Sequence, residues 1–430
     1  MTSGVSAAIE ELLPAYLGRQ RWFSGEQPET VEVEVSAWLV DRLRWLVVDA
    51  DGSRYQLVVG LGPADDPPEF LQGHDAEVLG AVDGCVAFDA VLDPELAREL
   101  LSRVSPGEDA RHVRPLAAEQ SNSSLIFDDR LFLKLFRRLH TGPNPDVEVT
   151  TALAAVGFAH VAEPLGVWRH DDMDLAVCEP YLAGGAEGWA LALTSLRDLY
   201  ASGCADPSQV GGDFFPEAQR LGQVTAAMHL ALAEAFEAQP GDADAWCDIV
   251  EAQLSRLQPD DLDAAAAKDF VARMRSVGDA GASVRVHGDY HLGQVMRTDT
   301  GWFVLDFEGE PARSLDERRL PSSPYKDVSG MLRSLQYAAH VALLECDEAE
   351  RDNLMTAGTA WEARNREAFL GGYLGTEGID ALLPAGDADR EALLAAFELD
   401  KAVYEVLYER AHRPDWLDIP RAAVRRLLDG

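Results

Sequence analysis

Residues 287–294, His287-Gly288-Asp289-Tyr290-His291-Leu292-Gly293-Gln294, and Asp306, closing the apolar stretch 302–305, put carboxylates, an amide and histidines in one short region. Phosphoryl transfer asks little covalent work of a protein. It needs a carboxylate near the acceptor hydroxyl, hard oxygen ligands for Mg²⁺, and a cation on the nucleotide phosphates. Asp289 suits the base or orienting carboxylate. Gln294 offers an amide oxygen, and Asp306 a second ligand for the metal. His287 and His291 would hold the loop by hydrogen bonds to backbone or to the carboxylates. The plain alternative is a hydrogen-bonded His/Asp loop without chemistry, and the downstream Asp306 weighs against it.

Such a loop needs elements to place it. Residues 1–90 alternate apolar and polar side chains in short stretches, at 31–35, 44–48 and 55–60, the last two joined through Asp51-Gly52. This predicts a small, largely antiparallel sheet behind one opening helix. From about residue 110 the pattern becomes strand, turn, strand, with 125–127 and 131–136 flanking Asp128-Asp129-Arg130. A helical stretch follows over 147–155, then two strands separated by Asp172-Met173-Asp174. After Gly188 the chain reads as helical, with amphipathic stretches at 218–235 and 264–277. Residues 284–308 are strands and loops inserted among those helices.

At this point the 287–294 stretch with Asp306 resembles the HGDxHxxN loop and metal-binding Asp of the aminoglycoside phosphotransferase superfamily. Gln294 stands where that superfamily usually has Asn, which keeps the ligand chemistry with one more methylene. Upstream, Glu119-Gln120-Ser121-Asn122-Ser123-Ser124 offers backbone N–H groups and small hydroxyls, as a phosphate-covering loop requires, although it lacks glycines. Lys134, on an apolar strand, would meet the ATP α/β-phosphates and a helix carboxylate, with Glu148 the first choice and Asp146 the second. Cys178-Glu179-Pro180-Tyr181 resembles the hinge that meets adenine, so Glu179 and Tyr181 join the ATP-binding set.

Nearly the whole chain resembles the maltokinase-like family of actinobacterial sugar kinases. The stretches that carry the resemblance are Arg19-Gln20-Arg21-Trp22-Phe23, AEQSNSS with FLKLFRR, HLGQ with DFEGEP and ERR, and LDKAVYEVLYE followed by RPDW. The resemblance implies an α+β, bilobal, protein-kinase-like fold in three parts: a cap at 1–90, an ATP-binding lobe at 91–181, and a helical lobe at 182–430 holding the catalytic loop and the sugar. It implies ATP and Mg²⁺ as cofactors and a sugar hydroxyl as acceptor. Tyr290, Lys326 and Leu335-Gln336-Tyr337 depart from the maltokinase pattern around the acceptor. The expectation is therefore glucosamine, giving glucosamine 6-phosphate. Maltose, giving maltose 1-phosphate, is the alternative, and an aminoglycoside substrate fits less well.

On the helix near the C-terminus, Lys401, Glu405 and Glu409 share one face, with Asp400, Tyr404 and Tyr408 alongside, Pro414 ending the helix and Trp416 following. Carboxylates beside aromatic planes suit sugar hydroxyls or an ammonium; an i,i+4 ladder on a solvated face gives the same spacing. The sugar set is Asp289, His291, Glu310, Tyr404, Glu405, Tyr408, Glu409 and Trp416. Glu308 joins Gln294 and Asp306 at the metal. His229 reads as a satisfied core histidine, and Arg318 and Arg319 as partners of Asp316 or Glu317. Arg19-Gln20-Arg21-Trp22 reads as an anchor for the cap.

A net charge of −37, from 74 acidic and 37 basic residues, argues against nucleic acid and anionic membrane as partners. No apolar run or N-terminal signal pattern suggests a membrane or export, so a cytoplasmic monomer is expected. The scattered cysteines fit neither a zinc site nor a disulfide framework.

Overall fold

Short runs of alternating side chains between turn residues build the first half of the chain. The computed structural model describes residues 2–23, 25–116, 121–310 and 313–429. It divides into two units, one of residues 1–151 with 162–183, the other of residues 152–161 with 184–430.

In the first unit, helix α1 (Thr2–Leu17) precedes strands β1 (Val31–Val40), β2 (Leu43–Ala50), β3 (Ser53–Pro63), β4 (Val78–Val82) and β5 (Cys85–Asp89). They pair antiparallel in the order β1-β2-β3-β5-β4. The expected strands at 31–35, 44–48 and 55–60 lie inside them. Asp51 and Gly52 take φ of 51° and 82°, the left-handed pair that a tight two-residue hairpin requires.

Helix α2 (Pro94–Val104), capped by Asp93, leads to a second antiparallel sheet. Its strands are β6 (Val113–Leu116), β7 (Asn122–Phe127) and β8 (Leu131–Phe136). After β9 (Arg138–Leu139), which pairs with β3, and helix α3 (Pro145–Ala155), β10 (Gly166–His170) and β11 (Met173–Pro180) complete it. The order is β10-β11-β8-β7-β6. Met173 already pairs with His170, so this turn is Asp171-Asp172, a step earlier than the sequence suggests.

The period-two pattern of β2 and β3 is apolar on both faces, because each face has its own core. Leu46, Val48, Leu57 and Val59 pack with Ile9, Leu13, Tyr16 and Leu17 of α1. Trp45, Val47 and Val58 pack with Leu125, Leu133, Leu135 and Leu175 of the second sheet and with Leu100 and Leu101 of α2. Each such Leu or Val contributes roughly 1.5–3 kcal/mol on burial. Gln56, fully buried, joins the two sheets. Its amide oxygen accepts from Trp45 Nε1 at 3.0 Å, and its Nε2 donates to the carbonyls of Phe136 and Leu175 at 3.0 and 2.8 Å.

The second unit is helical: α4 (Gly188–Ser202), α5 (Phe215–Phe236), α6 (Ala243–Leu254), α7 (Ala264–Arg275), α8 (Leu315–Arg319), α9 (Tyr325–Leu344), α10 (Glu348–Leu374), α11 (Asp387–His412) and α12 (Asp418–Asp429). The expected helices at 218–235 and 264–277 are α5 and α7. Helix α9 is buried along most of its length, so it can serve as a scaffold. The predicted insert is present: Val295–Arg297 and Trp302–Val304 pair with each other, and the former with Ala186–Glu187. Among the described residues, no helix is long and apolar enough to cross a membrane.

Candidate active site

A buried carboxylate shapes the 287–294 loop. Asp327, in the first turn of α9, accepts from the N–H of His287 at 2.7 Å and of Gly288 at 2.9 Å. His229 Nε2 on α5 lies 3.1 Å from the same carboxylate, and its Nδ1 lies 2.8 Å from the Tyr373 hydroxyl on α10. Burial pushes the Asp327 carboxyl up, but the bond and charge of His229, the charge of His287 and the Gly288 N–H outweigh it and hold it below its ordinary value. His229 is a satisfied core histidine, as expected, and it also steadies the loop's anchor. The loop backbone lies against α9 itself: a Cβ at Gly330 would stand 2.5 Å from the Tyr290 carbonyl oxygen. Tyr290 turns its hydroxyl inward to Thr225 at 2.9 Å.

Asp289 projects from this loop. Lys401 of α11 lies 3.5 Å from Asp289 Oδ1 and 3.5 Å from Glu310 Oε1, while His291 Nε2 lies 4.0 Å from Asp289 Oδ2. Burial raises the Asp289 carboxyl, but Lys401, then His291 and His287, outweigh it and keep it below the usual aspartate value. Burial outweighs the charges around His291 and lowers its pKa, favouring the neutral ring. His287 donates through Nε2 to the Leu305 carbonyl at 2.9 Å and accepts from the Asp289 N–H at 3.3 Å, tying the loop to the strand that ends at Asp306.

Gln294 and Asp306 are brought together, with Gln294 Nε2 3.2 Å from Asp306 Oδ2 and the Leu305 N–H 2.9 Å from the Gln294 carbonyl. Asp306 takes φ of 60°, a conformation that an L-residue adopts at a cost and that concentrates at functional sites. Amide and carboxylate oxygens form the hard donor set that Mg²⁺ takes. Glu308 follows in the same loop, its carbonyl 3.3 Å from Arg318 Nη1, and Arg318 Nε donates to the Arg313 carbonyl at 2.9 Å. Arg318 therefore braces Glu308 and Arg313 through their carbonyls.

A cavity opens beside Asp289. Its walls are Gly288, Tyr290, Glu310, Arg313, Lys326, Ser329, Gly330, Phe397, Asp400, Lys401 and Tyr404. Of the sugar residues expected from sequence, Glu310 and Tyr404 line it; Asp400 and Lys401, noted on the same helix face, and Lys326, noted near the acceptor, line it too, although none was assigned to the sugar set. Asp400 Oδ1 is enclosed and has no hydrogen-bond partner among the described residues. Burial holds the Asp400 carboxyl above its ordinary value, against the pull of Arg313 and Lys326. Burial likewise lowers the Lys326 ammonium, helped by Arg313.

Further along α11, Glu405 accepts from Arg333 Nε and Nη2 at 2.8 and 2.5 Å. Glu409 accepts from Arg413 at 2.8 Å and from the Tyr337 hydroxyl at 3.2 Å. Trp416 stacks under Arg413, 4.3 Å from guanidinium to ring centroid, and Tyr408 stacks on His412 at 4.4 Å. These four lie outside the cavity wall. The face Lys401–Glu405–Glu409 is not a solvated ladder, since each member engages another element.

In the first unit, Lys134 Nζ lies 3.1 Å from Asp146 Oδ2, both buried, so the second-choice carboxylate makes this contact. Glu148 sits half-buried in the same first turn of α3. Ser124 pairs in register with Lys134 across β7 and β8, and Ser124 Oγ has no partner among the described residues. Asn122 Nδ2 donates to Ser121 Oγ at 3.2 Å. Gln120 lies outside the described residues. Glu179 is opposite Phe132 in β8, and the Tyr181 N–H donates to the Arg130 carbonyl at 2.8 Å, with Arg114 stacked on its ring.

Residues 112–309 match the phosphotransferase enzyme family, the class to which this loop and strand arrangement conforms. Two glucosamine kinases are similar over most of their length. One, from Mycolicibacterium smegmatis (strain ATCC 700084 / mc(2)155), is 32% identical over 334 residues, 74% of this chain and 80% of that protein. The other, from Streptacidiphilus jiangxiensis, is 30% identical over 334 residues, 73% of each. The solved structure of a glucosamine kinase in complex with glucosamine, ADP and inorganic phosphate shares the fold, with a TM-score of 0.68 at 21% identity over 97% of this chain and 99% of that one. The fold is accordingly the α+β, protein-kinase-like fold of the aminoglycoside phosphotransferase superfamily. Within it, the chain belongs to the glucosamine kinase family.

Proposed function

We propose that this protein is an ATP-dependent kinase that phosphorylates glucosamine, giving glucosamine 6-phosphate. The observation that carries the reading is Asp289, held by an Asp327-anchored loop at the edge of a cavity walled by Glu310, Asp400 and Tyr404. A carboxylate kept below its usual pKa is ionised at neutral pH, so Asp289 orients the acceptor hydroxyl and receives its proton as the sugar oxygen bonds the γ-phosphorus and the bond from that phosphorus to the β,γ-bridging oxygen breaks, ADP leaving. Glu310 and Asp400 would accept from the sugar's hydroxyls and ammonium, and Tyr404 would offer a ring face. His291 steadies the Asp289 side. Glu405, Tyr408, Glu409 and Trp416 would support the helix that carries these groups.

Lys134, Glu148, the 120–124 loop and the Glu179–Tyr181 segment would hold ATP. Gln294, Asp306 and Glu308 would hold Mg²⁺, which when bound offsets charge on the transferring phosphoryl group. Residues 1–90 would serve as a cap, 91–181 as the ATP lobe and 182–430 as the sugar lobe of a cytoplasmic monomer. The test is ATP consumption with Mg²⁺ across glucosamine, glucose, N-acetylglucosamine, maltose and an aminoglycoside, with the product identified by NMR. Preference for glucosamine and a 6-phosphate product is expected. Preference for maltose would replace the reading with a maltokinase.

A further inference from the structure

We propose that Arg137 is a positioning residue for the nucleotide, fixing Ser123, at the β7 end of the phosphate-covering segment, to the sheet of the N-terminal ninety residues. The inference rests on the reading that residues 120–124 cover ATP.

Arg137 follows β8, just past Phe136, which pairs with Asn122 across the strands. Its side chain is 1% exposed, and so large a buried cation must be held by anions and acceptors. Nη2 binds Asp89 Oδ2 at 2.5 Å, and Nε donates to Ser123 Oγ at 2.8 Å. Asp89 ends β5 in the first sheet, and its Oδ2 also accepts from the Tyr16 hydroxyl of α1 at 2.9 Å. The Trp22 ring covers the guanidinium at 5.1 Å. A continuous chain thus runs from α1 through Tyr16, Asp89 and Arg137 to Ser123. Because the Ser123 oxygen accepts from Arg137, its proton is left to donate elsewhere, and its rotamer is fixed by a planar donor whose other edge is pinned to Asp89. The strand end that carries Ser123 is thereby tied to α1 and the first sheet.

Steady-state kinetics of Tyr16→Phe, Arg137→Lys and Ser123→Ala, with ADP binding by calorimetry, test the proposal. Tyr16→Phe acts at a distance from Ser123. Arg137→Lys keeps the ion pair with Asp89 but loses the fixed second donor. All three should raise KM for ATP and weaken ADP binding by about two- to tenfold, with the KM for glucosamine nearly unchanged, as expected for one lost hydrogen bond. A lowered Tm with unaltered KM for ATP in Tyr16→Phe and Arg137→Lys would overturn it and leave the chain a purely structural link. A shift in Ser123→Ala alone would likewise overturn it, assigning the serine a direct contact. Lys134→Met is the control: if it leaves ADP binding intact, the ATP reading itself fails, whereas loss of binding there with no shift in the other variants sinks only the coupling.

Discussion

Lys401 Nζ is placed 3.5 Å from both Asp289 Oδ1 and Glu310 Oε1, so one ammonium from α11 ties the carboxylate of the loop to the wall of the cavity. Burial alone would raise the Asp289 pKa, and Lys401 is the largest influence in the other direction. Replacing Lys401 by Met removes the cation that favours the ionised form, so the Asp289 pKa rises. The acid limb of the kcat/KM profile should then move to higher pH, with the alkaline limb unchanged. An unshifted acid limb would show that Lys401 does not act on Asp289. Because the wild-type pKa is depressed, this pair stabilises the fold above the unfolded aspartate pKa, and that stabilisation is lost as pH falls through the folded value.

Asp327 is expected to matter as much as residues that face substrate. It accepts from two loop N–H groups and from His229, and an Asn amide would turn a donor towards one of those donors. Asp327→Asn should lower stability by roughly 3–5 kcal/mol, typical of breaking a buried charged network. Misplacing the loop by ~1 Å should lower kcat by about a hundredfold. Thermal unfolding together with kcat at a temperature where the variant stays folded checks both.

Gly330 gives an independent test of loop placement. A methyl group there would meet the Tyr290 carbonyl at 2.5 Å, and both groups belong to backbone that cannot swing aside cheaply. Gly330→Ala should fold, since Ala favours a helix. It should lose kcat at least tenfold, with ADP binding unchanged, on the order of a sub-ångström displacement of Asp289. Wild-type kcat would mean that the loop can retreat without harm.

Asp400 should carry amine selectivity. Its enclosed Oδ1 has no partner among the described residues, and an ammonium would supply one. Asp400→Asn should raise KM for glucosamine by about ten- to a hundredfold, the range for a hydrogen bond to a charged group, and narrow the preference over glucose. Since burial raises this carboxyl, protons compete with the ammonium as pH falls. KM for glucosamine should therefore increase on acidification in the wild type and respond less in the variant.

Strands and loops were legible because their signals are local: the short apolar runs of β2 and β3 bounded by turn residues, the Asp51-Gly52 turn, and the spacing from His287 to Asp306. The partners were not. Asp327, Asp400 and Lys401 sit on helices where charge at i,i+4 spacing looks the same whether it faces water or a cavity. What distinguishes them is contact with residues far away in sequence, as between Lys401 and Asp289 or Arg333 and Glu405. Lys134 shows the same limit: Asp146 and Glu148 share one helix turn, and the 3.1 Å contact of Lys134 with Asp146 is a fact of the fold that their spacing does not announce. Tyr290, read from sequence as a departure facing the acceptor, also spends its hydroxyl on Thr225 in the core.

The most direct measurement is single-turnover phosphorylation of glucosamine by Asp289→Asn, with ADP binding measured on the same preparation. Asparagine keeps the size of the side chain and removes the charge that orients and deprotonates the hydroxyl. Phosphoryl transfer should fall at least a thousandfold, the upper part of the range for losing a positioned base, while ADP binds within about twofold of wild type. Transfer at a rate near wild type would contradict the assignment of Asp289 and the cavity beside it.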